Sequence, residues 1–157
     1  MHPPAARLRA VVAALLFATF VASCGGEPDP SGSPPAGTLT TLAGTSWAVV
    51  SVNDRTPIAG HVPTVAFDAE RISGSGGCNQ FGGQYRAEPA TGQFATRELV
   101  STDMGCVQAG VTTFESTFLQ ALGAATLIAL DPAGRLVLSS PMERLILVKI
   151  DHPGVEG

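Results

Sequence analysis

Short runs of β-branched and aromatic residues, each ended by turn-forming residues, restrict the folds open to this chain more than any other feature. The runs cover residues 45–53, 62–68, 71–74, 81–86, 94–96, 99–100, 126–130, 135–139 and 144–150. Strands this short, separated by Asn, Asp, Gly and Pro, are typical of antiparallel sheets. Residues 53–55 (NDR) and 131–134 (DPAG) are predicted turns, the second because proline fixes φ and glycine permits positive φ.

One segment has the period of a helix instead. The apolar residues that fall on one helical face are Val111, Phe114, Phe118 and Leu122. Thr112 and Glu115 have the spacing of a capping box, and Gly123 is suited to end the helix. We therefore expect a helix of about three turns. The predicted fold is mainly β (α+β): a small antiparallel, barrel-like curled sheet with this one helix packed over an opening.

The amino terminus has the pattern of an export signal. Arg7 and Arg9 precede an apolar run over residues 10–21, which is shorter than the roughly 20 residues that a membrane-spanning helix needs. The sequence VASC, ending at Cys24, resembles the lipobox of bacterial lipoproteins. We predict a lipoprotein signal peptide over residues 1–23 and a mature chain that begins at acylated Cys24. The alternative is an ordinary signal peptide that leaves the Cys24 thiol free.

Composition divides the rest of the chain. Residues 24–38 are rich in Gly, Pro and Ser and almost free of apolar residues, so they are predicted to be a flexible tether. The globular domain is predicted over residues 39–151, followed by a polar tail at 152–157. Acyl chains such as palmitate on Cys24 would hold this domain in the cell envelope, on the extracytoplasmic side of a membrane.

The charge of the chain argues against nucleic acid as a partner. Two of the nine basic residues precede residue 24 and all thirteen acidic residues follow it, which leaves seven against thirteen, or −6. Neutralising phosphates requires a basic face, and the chain has no Lys/Arg cluster. It also lacks the polybasic patch that would hold it on anionic lipid.

The three cysteines predict one disulfide. If Cys24 is acylated, Cys78 and Cys106 are left as a pair, and disulfides persist outside the cytoplasm. The alternative is a catalytic thiolate at one of them, which would need a nearby base. The mature chain offers only His61 and His152 for that role.

Four blocks of residues, in order along the chain, are similar to one family. They are residues 42–47 (LAGTSW), 73–85 (SGSGGCNQFGGQY) and 101–106 (STDMGC), followed by Glu115 with Phe118 and Leu122. Together they resemble the META domain, HslJ-like family over about residues 40–150. The resemblance implies a small β-rich, barrel-like domain with one helix and a Cys78–Cys106 pair. It also implies an envelope or secreted protein linked to stress tolerance, motility or virulence, with no established enzymatic activity.

Three further residues are candidates for a binding or structural motif. Asn79 is expected to hydrogen-bond the neighbouring loop, or else to contact a ligand. Trp47 is expected in the core, with an exposed recognition role as the alternative, and Tyr85 ends the Gly-rich block. The glycines at 74, 76 and 77 lack the Gly-Lys-Ser/Thr of a phosphate loop and are better suited to a bulge or a close backbone approach.

These observations predict a non-enzymatic envelope lipoprotein that binds another envelope protein or serves envelope stress tolerance. No catalytic residue, cofactor or metal site is predicted, because nucleophile elbows, paired carboxylates and zinc-ligand spacings are lacking. An alternative is binding of a small apolar ligand or lipid inside the barrel, suggested by the Leu, Ile and Val of the late strands. A hydrolase with an unrecognised nucleophile is the third reading.

Overall fold

The computed structural model describes residues 39–151. The predicted signal peptide, Cys24, the tether and the tail at 152–157 lie outside the described residues. The elements in chain order are β1 (Thr45–Val52), β2 (Thr64–Phe67), β3 (Arg71–Ser75), β4 (Gln80–Glu88), β5 (Gln93–Ser101), α1 (Val111–Ala124), β6 (Leu127–Leu130), β7 (Leu136–Ser139) and β8 (Arg144–Ile150).

The eight strands form one closed antiparallel barrel in chain order, with β1 paired to β8 to complete it. Neighbouring strands pair along most of their length, except that β5 and β6 pair only at Gln93 and Leu127. The mainly β, barrel-like fold with one helix is therefore confirmed. No helix within residues 39–151 has the length and apolarity needed to cross a membrane.

Both predicted turns are present, and each has a local cause. Asn53 and Asp54 have φ values of 50° and 61°, a left-handed conformation that Asn and Asp tolerate better than most residues. At the second turn, the Asp131 carboxylate accepts hydrogen bonds from the backbone N–H groups of Ala133 and Arg135, both at 3.0 Å. The hydrogen bond from the Arg135 backbone is the main cause that lowers the pKa of Asp131.

The predicted runs at 94–96 and 99–100 are parts of one strand. Glu98 has φ 52°, and the pairing of β4 with β5 shifts register between Gly82 and Gln84. One extra residue in β5 forms a bulge there, which changes the face on which the following side chains lie. The alternation of apolar residues breaks at this bulge, which is why the sequence suggested two separate strands.

Helix α1 is longer than predicted and is not capped as predicted. It has 14 residues, or about four turns, and continues one residue past Gly123. Gly110 is the N-cap, with left-handed φ of 84° and no side-chain cap hydrogen bond. The capping box of Thr112 and Glu115 was therefore wrong. The helix contacts β5 on one side and β1, β7 and β8 on the other, so it crosses an opening of the barrel.

Side chains fill the barrel. One apolar cluster contains completely buried residues of α1, β7 and β8. Its larger members are Phe118, Leu122, Leu136, Leu138, Leu145 and Leu147. An aromatic cluster of Phe67, Tyr85 and Phe94 belongs to the same core, with ring centroids 5.0 and 6.3 Å apart. Phe67 meets the other two rings edge to face, and Tyr85 stacks on Phe94; ring pairs of both kinds stabilise the core beyond the area that they bury.

Candidate functional site

Three residues that the sequence singled out, Cys78, Asn79 and Cys106, meet where the β3–β4 loop faces the segment before α1. The structure contains a disulfide between Cys78 and Cys106, with a Cα–Cα distance of 6.1 Å. In the chain-entropy model, closing a loop of this size stabilises the fold by about 3.5 kcal/mol. We call this region the junction; it consists of residues 76–80, residues 102–106 and Glu115.

Glu115 is the polar centre of the junction, with only 4% of its surface exposed. Its Oε1 accepts hydrogen bonds from the backbone N–H groups of Asn79 (2.7 Å) and Cys78 (3.4 Å). Its Oε2 accepts one from the Asn79 side-chain amide at 2.7 Å. The carboxylate therefore ties α1 to the β3–β4 loop, 36 residues away in sequence, and leaves neither oxygen without a donor.

Asn79 joins that loop to the segment after β5. Its Oδ1 accepts hydrogen bonds from the Thr102 hydroxyl (2.9 Å) and the Met104 backbone N–H (2.7 Å). Its amide nitrogen also donates to the Met104 carbonyl at 3.3 Å. The structure contains the predicted hydrogen bonds between Asn79 and a neighbouring loop. The same side chain also contacts the helix, through its hydrogen bond to Glu115.

Glycine is required in the junction because the loop passes so close to its neighbours. A Cβ at residue 76 would collide with the Glu115 carboxylate, and one at residue 74 with the backbone carbonyl of Thr64. Gly77 has φ 110°, a conformation that other residues rarely adopt. The Gly-rich run therefore serves close backbone approach and not phosphate binding.

His61 links the β1–β2 connection to the edge of the junction. Its Nδ1 donates to the Gly77 carbonyl oxygen at 2.8 Å, and its Nε2 lies 3.0 Å from the side-chain amide of Gln108. Both nitrogens are thus engaged with groups other than Cys78, whose sulfur is bonded to Cys106. Within residues 39–151, the structure therefore contains no free cysteine thiolate, which a Cys–His hydrolase would need as its nucleophile.

Trp47 and Tyr85 are core residues, with 3% and 7% of their surfaces exposed. The Trp47 indole N–H donates to the Thr45 hydroxyl at 2.8 Å, and the Tyr85 hydroxyl donates to the Asp68 carbonyl at 2.8 Å. Burial, followed by the nearby Asp68 charge, raises the pKa of the Tyr85 phenol. The structure does not bring either residue to the junction.

Glu115 is the junction residue whose role the sequence did not reveal. Its capping-box spacing to Thr112 indicated a local partner, whereas its real partners lie more than thirty residues earlier. A signal was present, because Glu115 shares a helical face with Val111 and Phe118 and is the only charged residue of α1. A single acid on an apolar face of a helix indicates a buried, hydrogen-bonded carboxylate.

Two clefts lie on the described part of the chain, residues 39–151. One, of about 390 Å³, is lined by residues 40–43, residues 84–89 and Arg97. The other, of about 220 Å³, is lined by Ile58 and Phe114 together with Arg55. Apolar side chains also protrude beside the disulfide: Met104 is 58% exposed and Val107 is completely exposed.

Residues 40–152 match the META domain family. The chain belongs to that family. This confirms the resemblance inferred from the four sequence blocks, and META is not a known enzyme family. No curated protein matches the chain.

Two solved structures are similar to this META domain in fold. An NMR structure of a protein from Burkholderia xenovorans aligns with a TM-score of 0.59 and 21% identity, covering 71% of this chain and 85% of that one. A second NMR structure aligns with a TM-score of 0.55 and 24% identity, covering 68% of this chain and 89% of that one. At these identities the likeness concerns the fold alone.

Proposed function

We propose that this META domain protein is a non-enzymatic envelope lipoprotein whose domain binds another envelope protein. The observation that carries the proposal is the junction, where a disulfide and a buried carboxylate join three chain segments. Beside it, the exposed side chains of Met104 and Val107 project from the segment before α1. Apolar side chains presented to solvent by a cross-linked segment suit protein recognition, because the cross-links limit the entropy that the segment loses when a partner binds.

The chemistry of the junction supports binding over catalysis. Both oxygens of Glu115 and both side-chain groups of Asn79 hydrogen-bond within the chain. The two sulfurs of the junction are bonded to each other. Groups engaged in this way stabilise the fold and are not poised to attack or protonate a substrate.

The lipobox ending at Cys24 supports placement in the envelope. A disulfide between Cys78 and Cys106 is consistent with that location, since disulfides persist in oxidising compartments. The tether over residues 24–38 would let the domain reach partners near the membrane surface. The family resemblance adds the expectation that binding serves tolerance of envelope stress.

Protein binding has better support than a small apolar ligand held inside the barrel. The interior positions are occupied by completely buried leucines of β7 and β8 and by Phe118. Small barrels of this kind are filled by their own side chains. Met104 and Val107, by contrast, are exposed to solvent and lie next to the disulfide in sequence.

Site-specific photo-crosslinking on intact cells tests the proposal. A crosslinking amino acid is placed at position 107, and in a matched strain at position 142, where Met142 is 86% exposed in the β7–β8 turn. We expect one discrete crosslinked envelope protein from position 107 and not from position 142. Val107→Asp, but not Met142→Asp, should abolish recovery of that protein.

The same products from both positions, or none from position 107, would contradict protein binding at the junction. Anchoring is tested separately on the full chain. The intact mass of the membrane-extracted protein should show a diacylglyceryl group, and Cys24→Ser should release the protein from membranes. Retention of the Cys24→Ser variant in the membrane fraction would refute the lipid anchor.

A further inference from the structure

The cleft of about 220 Å³ is lined by the end of β1, the β1–β2 connection and the first half of α1. Its apolar lining residues are Val52, Ile58 and Phe114, and Arg55 is the one charged residue that lines it within residues 39–151. It shares no lining residue with the junction. We propose that this cleft binds a small carboxylate whose apolar part is about the size of a phenyl ring. This inference does not rest on the proposed function.

Arg55 carries a positive charge that no other residue within 39–151 neutralises. The ion pair found in that range joins Arg135 to Asp131 and does not involve Arg55. The Arg55 side chain is exposed and makes no hydrogen bond to another described residue. Because a guanidinium group bonds a carboxylate through two parallel N–H donors, the cleft offers an anion-binding group that the fold does not use.

A tight turn places Arg55 at the cleft. Its backbone N–H donates to the Val52 carbonyl, and its carbonyl accepts from the Val52 N–H, both at 2.9 Å. Within this turn, the Asn53 side-chain oxygen accepts a hydrogen bond from the Arg144 backbone N–H at 2.8 Å, which joins the turn to the start of β8. The backbone at Arg55 is therefore ordered before a ligand binds, so binding has only the side chain to order.

Hydroxyl groups supplement the guanidinium group. Thr56 and Thr113 line the cleft, and their hydroxyls make no hydrogen bond to other residues of the described range 39–151. Each can therefore donate one hydrogen bond to a ligand. One arginine and two hydroxyl donors match the single charge and the four acceptor positions of a carboxylate. A phosphate monoester, with a charge of about −1.5 to −2, would have nearly one charge left without a partner.

The volume and the apolar lining of the cleft define the rest of the ligand. A cavity of about 150 Å³ accommodates benzene, so the roughly 220 Å³ of this cleft holds a ring of that size together with a carboxylate. Ile58 and Phe114 are only partly buried, which leaves apolar surface for a ring to cover. Contact with these two side chains supplies affinity, and Arg55 supplies selectivity for an anion.

Isothermal titration calorimetry of the full chain tests the ligand class without any substitution. Phenylacetate should bind one to one, with a Kd below about 1 mM for a ligand of this size. Acetate lacks the ring and phenylacetamide lacks the charge, so each should bind at least about tenfold more weakly. The proposal is wrong if phenylacetate shows no saturable binding, or if either of the other two compounds binds as tightly.

Substitutions test whether the ligand binds in the cleft. Arg55→Gln should weaken phenylacetate binding at least about tenfold. Thr113→Asp introduces a carboxylate into the cleft that would compete for Arg55, and it should weaken binding by a similar factor. Thr112→Asp is the matched control, since it adds the same charge in the same turn of α1 at a residue that does not line the cleft. At physiological salt, which screens exposed charges, it should change the Kd by less than about twofold.

Thermal unfolding of each variant accompanies the titrations. Arg55, Thr112 and Thr113 are exposed, and negative charge is favourable in the first turn of a helix, so all three variants should remain folded. Wild-type affinity in folded Arg55→Gln or Thr113→Asp would contradict the proposal, as would an equal loss of binding in Thr112→Asp. If a variant did unfold, the comparison of phenylacetate with phenylacetamide on the wild-type protein would decide.

Discussion

The polar centre of the junction, Glu115 with Asn79, and the aromatic cluster are both buried, yet they are stabilised by different kinds of interaction. In the aromatic cluster, Phe67 packs against Tyr85 and Phe94, and stability depends on how much apolar volume is filled. In the junction, Glu115 and Asn79 depend on donors and acceptors that match one another individually. The first region should tolerate changes of shape, whereas the second should tolerate almost no change of hydrogen-bonding pattern.

The largest effect is expected in the aromatic cluster. Phe67→Ala should lower the free energy of unfolding by about 4 kcal/mol, because it leaves a cavity beside two rings. Phe67→Leu, which keeps most of the volume, should cost about 1.5 kcal/mol. Urea denaturation followed by tryptophan fluorescence measures both. Equal costs for the two variants would show that volume is not what stabilises this region.

Removal of the disulfide should come next. The double variant Cys78→Ala, Cys106→Ala should lose about 3.5 kcal/mol, the amount expected from closing this loop in the unfolded chain. The wild-type protein measured in reductant should lose a similar amount. A loss below about 1 kcal/mol would indicate that the hydrogen bonds of Asn79 alone hold the junction closed.

Glu115→Gln tests the hydrogen-bonding pattern with almost no change of volume. It should lower the free energy of unfolding by about 2.5 kcal/mol. The side-chain NH₂ group of Gln would face an N–H donor of Asn79, where the carboxylate oxygen of Glu115 accepted a hydrogen bond. Thr112→Ala, the other half of the wrongly predicted capping box, should change stability by less than about 0.5 kcal/mol. If Thr112→Ala proved the more costly of the two, the assignment of Glu115 to the junction would be refuted.

The smallest effect is expected from the single hydroxyl of the aromatic cluster. Tyr85→Phe should cost about 1 kcal/mol at neutral pH, through loss of the hydrogen bond to the Asp68 carbonyl. The folded state raises the pKa of Tyr85 above its usual value near 10, so the wild-type protein should lose stability as pH rises past that value. Tyr85→Phe should lose less over the same range, as thermal unfolding at several pH values would show.

The same contrast explains what the sequence could predict. Strands, turns and the apolar face of α1 depend on near neighbours in the chain, so periodicity and turn residues predicted the barrel and its helix. The bulge at Glu98 depends on pairing with another strand, which no local pattern shows. The helical face of Glu115 indicates burial, but its hydrogen-bond partners lie in a distant loop and could not be predicted from that face. Cys78 and Cys106 could be paired once Cys24 was assigned to acylation, but the carboxylate beside them could not be placed.

Closure of the barrel through β1 and β8 has a consequence for biogenesis. Ser46 pairs with Ile150, so two residues roughly a hundred positions apart must meet before the sheet has no free edge. Contacts this distant in sequence form late and make folding slow. A nascent chain that lacks β8 keeps an open sheet edge, which would suit the export that we propose for this protein, because the chain could cross a translocation pore before its barrel closes.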